Sequence, residues 1–263
     1  MTIEVVLGGS EGKMGKVLQR LIGEADDMVL VASVDPRLPQ EALNQYTNVK
    51  DFVAGHGLGG CVYVDFTNPD EVLGNVKTIS EAGHDSVIGT TGWYDRMDEM
   101  ETIAKLNGRR IVYAPNFSIG VNALFAVTEY LAGLLGKLGY DAEVMELHHI
   151  GKKDAPSGTA VELGKILVAK MPGKAKYTTT RTGPRAPDEV DVLGGRVGSV
   201  VGHHRVHFVP NEDYCERLIV EHDGFSRDTF GFGALTAVRW VYRAGQEGKP
   251  TGLCPFRRDV LGL

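Results

Sequence analysis

The chain reads as an α/β protein, a parallel-sheet domain joined to a smaller α+β domain with a mixed sheet. Three observations predict this. Short apolar runs alternate with helix-period segments through the first half, the pattern of a parallel sheet covered on both faces. A spaced glycine triplet follows the first of those runs. Beyond about Phe117 the pattern changes to strand-like runs joined by turns, with less helix between them.

Taken in order, residues 3–7 form an apolar first strand, and Met14, Val17, Leu18, Leu21 and Ile22 then recur at helical spacing. Residues 28–34 make a second strand. Residues 61–66 make a third, followed by a helix opening near Pro69. Residues 86–89 and 110–113 continue the series with a helix between them. In the second half a long helix over about 122–138 leads into a strand at 143–148. Residues 172–195, rich in Gly, Pro, Thr and charge, read as a long loop. Residues 196–209 and 215–222 read as strands, and residues 229–244 as a closing helix carrying Leu235, Val238, Trp240 and Val241. No internal repeat or low-complexity segment interrupts this order. The expected division is 1–118 with 229–263 as one domain and 119–228 as the other.

Composition narrows the functional classes. With 263 residues, 43% of them hydrophobic, the chain can bury one large core or two modest ones. A charged fraction of 24% argues against disorder, and a net charge of -6 provides no global basic field for nucleic acid. An anionic ligand must therefore be captured by a local cluster. Cys61, Cys215 and Cys254 are odd in number and share no metal-ligand spacing, so neither a disulfide framework nor a metal site is expected, and a reducing compartment fits. No basic-then-apolar leader precedes the first strand, and no apolar run looks long enough to span a bilayer. The expectation is a cytoplasmic protein with no membrane partner.

The glycines carry the first chemical signal. Gly9-Ser10-Glu11-Gly12-Lys13-Met14-Gly15 lies between the first strand and its helix, a GxxGxxG spacing. Gly9 suits a tight turn, Gly12 lets a pyrophosphate approach the backbone, and Gly15 permits close helix–strand packing. The helix N-terminus favours the anion. Asp35, twenty residues past Gly15, ends the second strand where a carboxylate binds the adenosine ribose hydroxyls. A carboxylate there favours NAD and repels a 2′-phosphate, while Arg37 is placed to pair with that phosphate. Alone, a glycine triplet is only a turn; strand, helix and Asp35 in register make it a dinucleotide site. Gly89-Thr90-Thr91-Gly92 and Ala114-Pro115-Asn116-Phe117-Ser118 follow later strands, where a parallel sheet puts ligand contacts. Each alone could be an ordinary loop.

The second signal is the stretch from Glu146 to Ala160. His148 and His149 are followed by Lys152, and Ser157-Gly158-Thr159 opens a helix. The helix start suits a carboxylate, and Lys152 offers a point charge and a transferable proton. Adjacent histidines on a strand face opposite ways, so one can serve a ligand and the other the scaffold. Each feature alone has a bland reading as a packed histidine, an N-cap or a solvated lysine. Their confinement to a dozen residues favours an acid and anion site. A second cluster, His203, His204 and His207, lacks a ligand spacing and reads as sheet surface or as support for that site.

Six motifs occur in order: GxxGxMG, Asp-Phe-Thr-x-Pro at 65–69, GTTG, Asn-Phe-Ser-x-Gly-Val-Asn at 116–122, HHxxKxDAPSGTA, and Ser-Arg-x-x-Phe at 226–230. Together they resemble the 4-hydroxy-tetrahydrodipicolinate reductase family over nearly the whole chain. HHxxKxDAPSGTA is highly specific, and the glycine motif is not. The resemblance implies a Rossmann-like nucleotide domain and a substrate domain whose sheet builds a homotetramer. It implies NADH and/or NADPH as cofactor, a small dicarboxylate as substrate, and a step of lysine and diaminopimelate synthesis. By motif, residues 9–14, Asp35, residues 89–91 and residues 114–117 would contact the cofactor. His148 would donate or accept a proton and Lys152 would donate one. His149, Ser157, Gly158 and Thr159 would hold the substrate. Some family members place Arg directly after the acidic residue of the second strand; in this chain Pro36 intervenes.

Two other readings stay open on the residues alone. One is an aspartate- or homoserine-type dehydrogenase, which would not be expected to carry HHxxKxDAPSGTA. The other is a non-catalytic sensor of the nicotinamide ratio, which could dispense with the His/Lys cluster.

Overall fold

In the computed structural model, residues 2–39, 43–56, 59–212 and 215–263 are described. The chain divides into two compact units, Met1–Ser118 with Asp228–Leu263, and Ile119–Arg227.

The first unit is built from β1 (Ile3–Gly8), α1 (Lys13–Gly23), β2 (Met28–Val34), β3 (Gln45–Tyr46), α2 (Val49–His56), β4 (Val62–Asp65), α3 (Val72–Glu81), β5 (Asp85–Ile88), α4 (Met97–Leu106) and β6 (Arg110–Tyr113). Its last elements come from the C-terminal end and follow below. Strand alternation puts Val5, Leu7, Val62, Val64, Val87 and Val112 into one core with Leu18, Leu21 and Ile22 of α1. Val6, Tyr63, Ile88 and Ile111 turn to the opposite face, where α2, α3 and α4 cover them. Apolar side chains on both faces are what a fully covered parallel sheet requires.

The second unit comprises α5 (Ile119–Leu135), β7 (Tyr140–His148), α6 (Gly158–Lys170), β8 (Lys176–Thr178), β9 (Glu189–Arg196), β10 (Gly202–Pro210) and β11 (Leu218–Gly224). Its sheet runs β11-β10-β7-β9-β8. β10 is antiparallel to both β7 and β11, whereas β7, β9 and β8 are parallel, so the sheet is mixed. Val144, Val190, Val192, Val206 and Phe208 pack one face of it against Val121, Leu124, Phe125, Leu163 and Leu167 of α5 and α6. The other face carries Glu143, Met145, Leu147, His203, Arg205 and His207. Met145 and Leu147 there are 43% and 40% exposed.

α7 (Asp228–Gln246) and β12 (Gly252–Pro255) return to the first unit. Ala234, Leu235, Val238 and Val241 of α7 join the α1 core. The complete sheet has the order β12-β6-β5-β4-β1-β2-β3, with every pairing parallel.

The structure departs from the sequence expectation at several places. Residues 172–195 are not one loop: they contain β8 and most of β9, and β9 lies beside β7 near the middle of the second sheet. The run expected as one strand over 196–209 is the end of β9, a turn, and β10. β3, α2 and β12 were not anticipated. Ile119–Leu138, α5 with the turn after it, is 20 residues long with a mean hydropathy of 1.4, long and apolar enough to cross a membrane by those measures alone. The expectation that no such run exists is therefore corrected. Asn122, Glu129 and Lys137 interrupt the apolar run in the sequence, while Val121, Leu124, Phe125, Thr128 and Ala132 are buried within the unit.

Candidate functional site

Register places the first site. Gly8 lies opposite both Val34 and Asp65, Asp65 opposite Ile88, and Ile88 opposite Tyr113. The residues that follow these strand ends, Gly9, Asp35, Phe66, Gly89 and Ala114, therefore line one edge of the sheet. The chain passes from β1 to β2 on one side and returns to β4 on the other. That reversal is the position at which open parallel sheets bind ligands, outside the strand C-termini.

The glycines at this edge are sterically required. Gly9 has φ +75°, and a Cβ there would sit 2.3 Å from the Phe66 carbonyl oxygen. A Cβ on Gly15 would sit 2.3 Å from the Gly9 carbonyl oxygen, and one on Gly89 2.2 Å from the Phe66 ring. Gly12 precedes α1 with no side-chain cap, and the first turn of α1 carries no acidic residue. That helix end is left open to an anion by its own sequence. The Gly12 N–H donates to the Gly9 carbonyl at 3.0 Å, and Gln19 Nε2 donates to the Ser10 carbonyl at 2.7 Å. Ser10 is buried, Glu11 and Met14 are half-buried, and Lys13 is exposed.

Asp35 is 2% exposed. Its Oδ2 accepts from the Glu11 N–H at 3.0 Å, which ties the acidic residue to the glycine turn. Arg37 reaches it with Nε to Oδ1 and Nη2 to Oδ2, both at 2.7 Å. This pairing holds the Asp35 carboxyl below its ordinary range against the opposing effect of burial. Arg37 therefore lies on the carboxylate itself, where the sequence had suggested only a partner for a phosphate.

The later loops are set by a residue the sequence reading passed over. Asp65 is fully buried and accepts from Thr90 Oγ1 at 2.6 Å, Tyr63 Oη at 2.8 Å, Thr67 Oγ1 at 2.8 Å and the Thr67 N–H at 3.1 Å. Burial and the neighbouring carboxylate push the Tyr63 phenol well up, so it stays a donor. Thr90 is thus fixed, while Thr91 is exposed next to it. Ala114 is buried and Pro115 exposed. Asn116 Oδ1 accepts from the Ser118 N–H at 2.8 Å, and Phe117 packs against Phe256 at 4.9 Å between ring centroids. Asp65 was findable as the acidic residue of the Asp-Phe-Thr-x-Pro motif, but its bond to Thr90 spans 25 residues and only the fold shows it.

The second site lies at the end of β7. His148 is buried, and its Nδ1 is hydrogen-bonded to Glu146 Oε2. Glu146 lies two residues earlier on the same strand face and is 1% exposed. Its Oε1 accepts from Arg196 Nη1 at 2.9 Å and from the Ser157 N–H at 3.1 Å. Burial opposes ionisation of Glu146, yet the bonds from His148 and Arg196 outweigh it and hold the carboxyl below its ordinary range. His149 lies just past the strand and is half-buried; its carbonyl accepts the Lys152 N–H at 3.1 Å. Lys152 Nζ donates to both oxygens of Asp154, at 2.7 and 2.9 Å. Ser157 caps α6, its Oγ accepting from the Ala160 N–H at 3.2 Å. Gly158 is exposed and Thr159 half-buried at the start of that helix, whose first turn has no acidic residue.

His204 joins this cluster, its Nε2 lying 3.2 Å from Ser157 Oγ and its ring 5.1 Å from that of His148. Burial, and then the neighbouring His148, push the His204 imidazole down to about 3. His203 and His207 turn to the opposite face. There they meet Asp223 at 2.6 Å and Glu143 at 2.9 Å. Among the described residues, Glu146, His148 and His204 also bring donor atoms close enough to share an ion, as do His203, Glu221 and Asp223. Glu146 Oε2 and His204 Nε2 are already engaged in hydrogen bonds, as is Asp223 Oδ1 in the other cluster. Arg196 was missed as the partner of Glu146, while His204 is the member of the second histidine cluster that reaches this site. Arg196 lies directly opposite His148 in register, but only once β9 is recognised as a strand.

A parallel sheet with a glycine turn and an acidic second-strand end, joined to a unit holding a His/Lys cluster at a helix start, defines a nucleotide-dependent oxidoreductase of two-domain architecture. Comparison with known proteins gives the family. The family described as "Dihydrodipicolinate reductase, N-terminus" matches residues 3–117, and "Dihydrodipicolinate reductase, C-terminus" matches residues 120–255. The chain is 36% identical to 4-hydroxy-tetrahydrodipicolinate reductase of Methanopyrus kandleri, over 98% of this chain and 96% of that one. It is 34% identical to the enzyme of the same name from Aquifex aeolicus, over 100% of both. Among solved structures, a dipicolinate-bound dihydrodipicolinate reductase from Paenisporosarcina sp. TG-14 has the same fold, with TM-score 0.78 and 23% identity over 97% of this chain and 98% of that chain. This chain belongs to the dihydrodipicolinate reductase family.

Proposed function

We propose that the protein reduces 4-hydroxy-tetrahydrodipicolinate to tetrahydrodipicolinate with loss of water, using NADH and/or NADPH, in lysine and diaminopimelate synthesis. One observation carries this: the two ends of the HHxxKxDAPSGTA stretch, buried His148 and the Ser157 start of α6, meet on one buried carboxylate, Glu146, whose partner Arg196 also reaches the Lys152 carbonyl. That is the equipment for a dianionic substrate that must also receive a proton. The reaction balances as one hydride and one proton taken up while the ring hydroxyl leaves as water.

The first unit fits a dinucleotide. The open start of α1 at Gly12, in a turn that Gly9 and Gly15 allow to close, and the buried Asp35 suit a pyrophosphate and a ribose. Ser10 to Met14, Gly89 to Thr91 and Ala114 to Phe117 line the same sheet edge. The nicotinamide supplies the hydride when bound. Asp35 accepts from the ribose hydroxyls, and Arg37 can leave Asp35 to meet a 2′-phosphate, which supports use of both cofactors.

In the second unit, His148 and Lys152 move the proton. Lys152 exchanges Asp154 for a substrate carboxylate, and His149, Ser157, Gly158 and Thr159 hold the carboxylates at the α6 start. Residues 119–228 form the substrate domain. The uncovered sheet face, with Met145 and Leu147 exposed, supports assembly into a homotetramer. The protein works in the cytoplasm, and its net charge of -6 supports a small-molecule partner and no nucleic-acid or membrane partner. The test is nicotinamide oxidation with freshly generated 4-hydroxy-tetrahydrodipicolinate. Oxidation that depends on this substrate is expected. A folded, cofactor-binding protein that leaves the substrate unreduced would refute the reading.

A further inference from the structure

We propose that Glu146 is the positioning residue of this site, fixing His148 with its proton on Nδ1 and tying the Lys152 segment to the same strand. The inference rests on the reading of His148 and Lys152 as the proton-moving groups.

Glu146 has an acceptor on each side and no donor. One oxygen faces His148 Nδ1, and the other takes Arg196 Nη1 at 2.9 Å and the Ser157 N–H at 3.1 Å. A carboxylate can only accept, so the bond to Nδ1 requires the proton to lie on that nitrogen. In the neutral imidazole Nε2 then carries the lone pair and is the atom that takes up or returns a proton. Gly202 gives the ring room on its Nε2 side, because a Cβ there would come within 3.1 Å of that nitrogen. Space is also left for the carboxylate, because a Cβ on Gly194 would stand 2.5 Å from Glu146 Oε1. Arg196 extends the tie. Its Nη2 donates to the Asp154 carbonyl and its Nε to the Lys152 carbonyl at 3.4 Å. One buried charge thus reaches the histidine, the lysine segment and the start of α6. Among the described residues, the rings beside His148 are His204 on β10 and, beyond it, His222 on β11. Neither supplies a negative charge.

Glu146→Gln separates positioning from bulk. The amide keeps the shape but offers one acceptor and two donors. Two donors, one of them charged, lie on the Arg196 side and a single donor on the His148 side, so the amide oxygen turns toward Arg196. The amide N–H then faces Nδ1, which must become an acceptor, and the His148 proton moves to Nε2. The experiment is long-range proton–nitrogen correlation on histidine-labelled protein at alkaline pH, with kcat and cofactor affinity measured alongside. The wild type should show the Nδ1–H form and Glu146→Gln the Nε2–H form. In the variant, kcat should fall at least about a hundredfold, within the roughly 10⁴-fold cost of a carboxylate-to-amide change that inverts a catalytic histidine. NADH affinity should stay within about twofold, because Glu146 lies in the second unit. A wild type with His148 in the Nε2–H form overturns the proposal even if the variant does not fold. A folded variant with wild-type kcat also overturns it. A wild type that never reduces the substrate overturns the assigned reaction and leaves the tautomer result to decide the geometry on its own.

Discussion

Replacing His204 with Gln should flatten the acid dependence of stability. In the folded protein the His204 imidazole is held neutral, its pKa pushed from 6.5 down to about 3 by burial first and by His148 second. In the unfolded chain it titrates at its ordinary value. The folded pKa is depressed, so full stability is present above 6.5 and is lost as pH falls toward 3. Between those values the unfolded state holds one more proton, and the slope is about 1.4 kcal/mol per pH unit. Lowering pH from about 7.5 to about 5 therefore costs the wild type about 2 kcal/mol through this residue. His84 and His222 are also shifted down, chiefly by burial, but they are present in both proteins and cancel in the comparison. Gln can still offer an amide group to Ser157 Oγ, so His204→Gln removes the titration with little change of contact. Denaturant unfolding of both proteins at the two pH values measures it, provided the slopes are unchanged. The variant should lose about 2 kcal/mol less than the wild type on acidification. Parallel losses in the two proteins would refute the claim that His204 is buried neutral.

Two further perturbations address the nucleotide edge. Gly9→Ala forces a side chain into φ +75° and within 2.3 Å of the Phe66 carbonyl, so it should cost about 2 kcal/mol or more and weaken NADH binding at least about tenfold. Fluorescence titration with NADH and denaturant unfolding check this, and unaltered values for both would place the glycine turn elsewhere. Arg37→Ala removes the partner that now covers Asp35, and should lower kcat/KM with NADPH at least about tenfold more than with NADH. The wild type should use NADH at least as well as NADPH; a preference of about a hundredfold for NADPH would mean that Asp35 does not meet the ribose.

The first unit was largely legible in the sequence because each step was local. Alternating valines marked strands, the glycine spacing marked the turn, and Asp35 followed at the distance the motif requires. The second unit was less so. β9, Glu189-Val-Asp-Val-Leu-Gly-Gly-Arg196, does alternate, with Val190 and Val192 inward. Its outward acids are neutralised by Arg181, which reaches both Asp191 and Glu189, and in the sequence they made the segment look like a polar loop. Missing β9 hid Arg196, and with it the ion pair that supports His148. Glu146 was within reach, since two residues apart on a strand means one shared face. The partners of Asp65 and His204 come from distant segments, Thr90 in one case and Ser157 in the other, and no local pattern encodes them.

Reduction by this protein requires the cluster in the second unit to move the proton. Steady-state kinetics with cofactor titration on His148→Ala and Lys152→Ala tests this most directly. Each variant should lower turnover by about a hundredfold or more, the scale of a lost general acid. Lys152→Ala should also raise KM for the dicarboxylate, while NADH affinity should be unchanged in both. Folded, NADH-binding variants that turn over the substrate at wild-type rates would contradict the account.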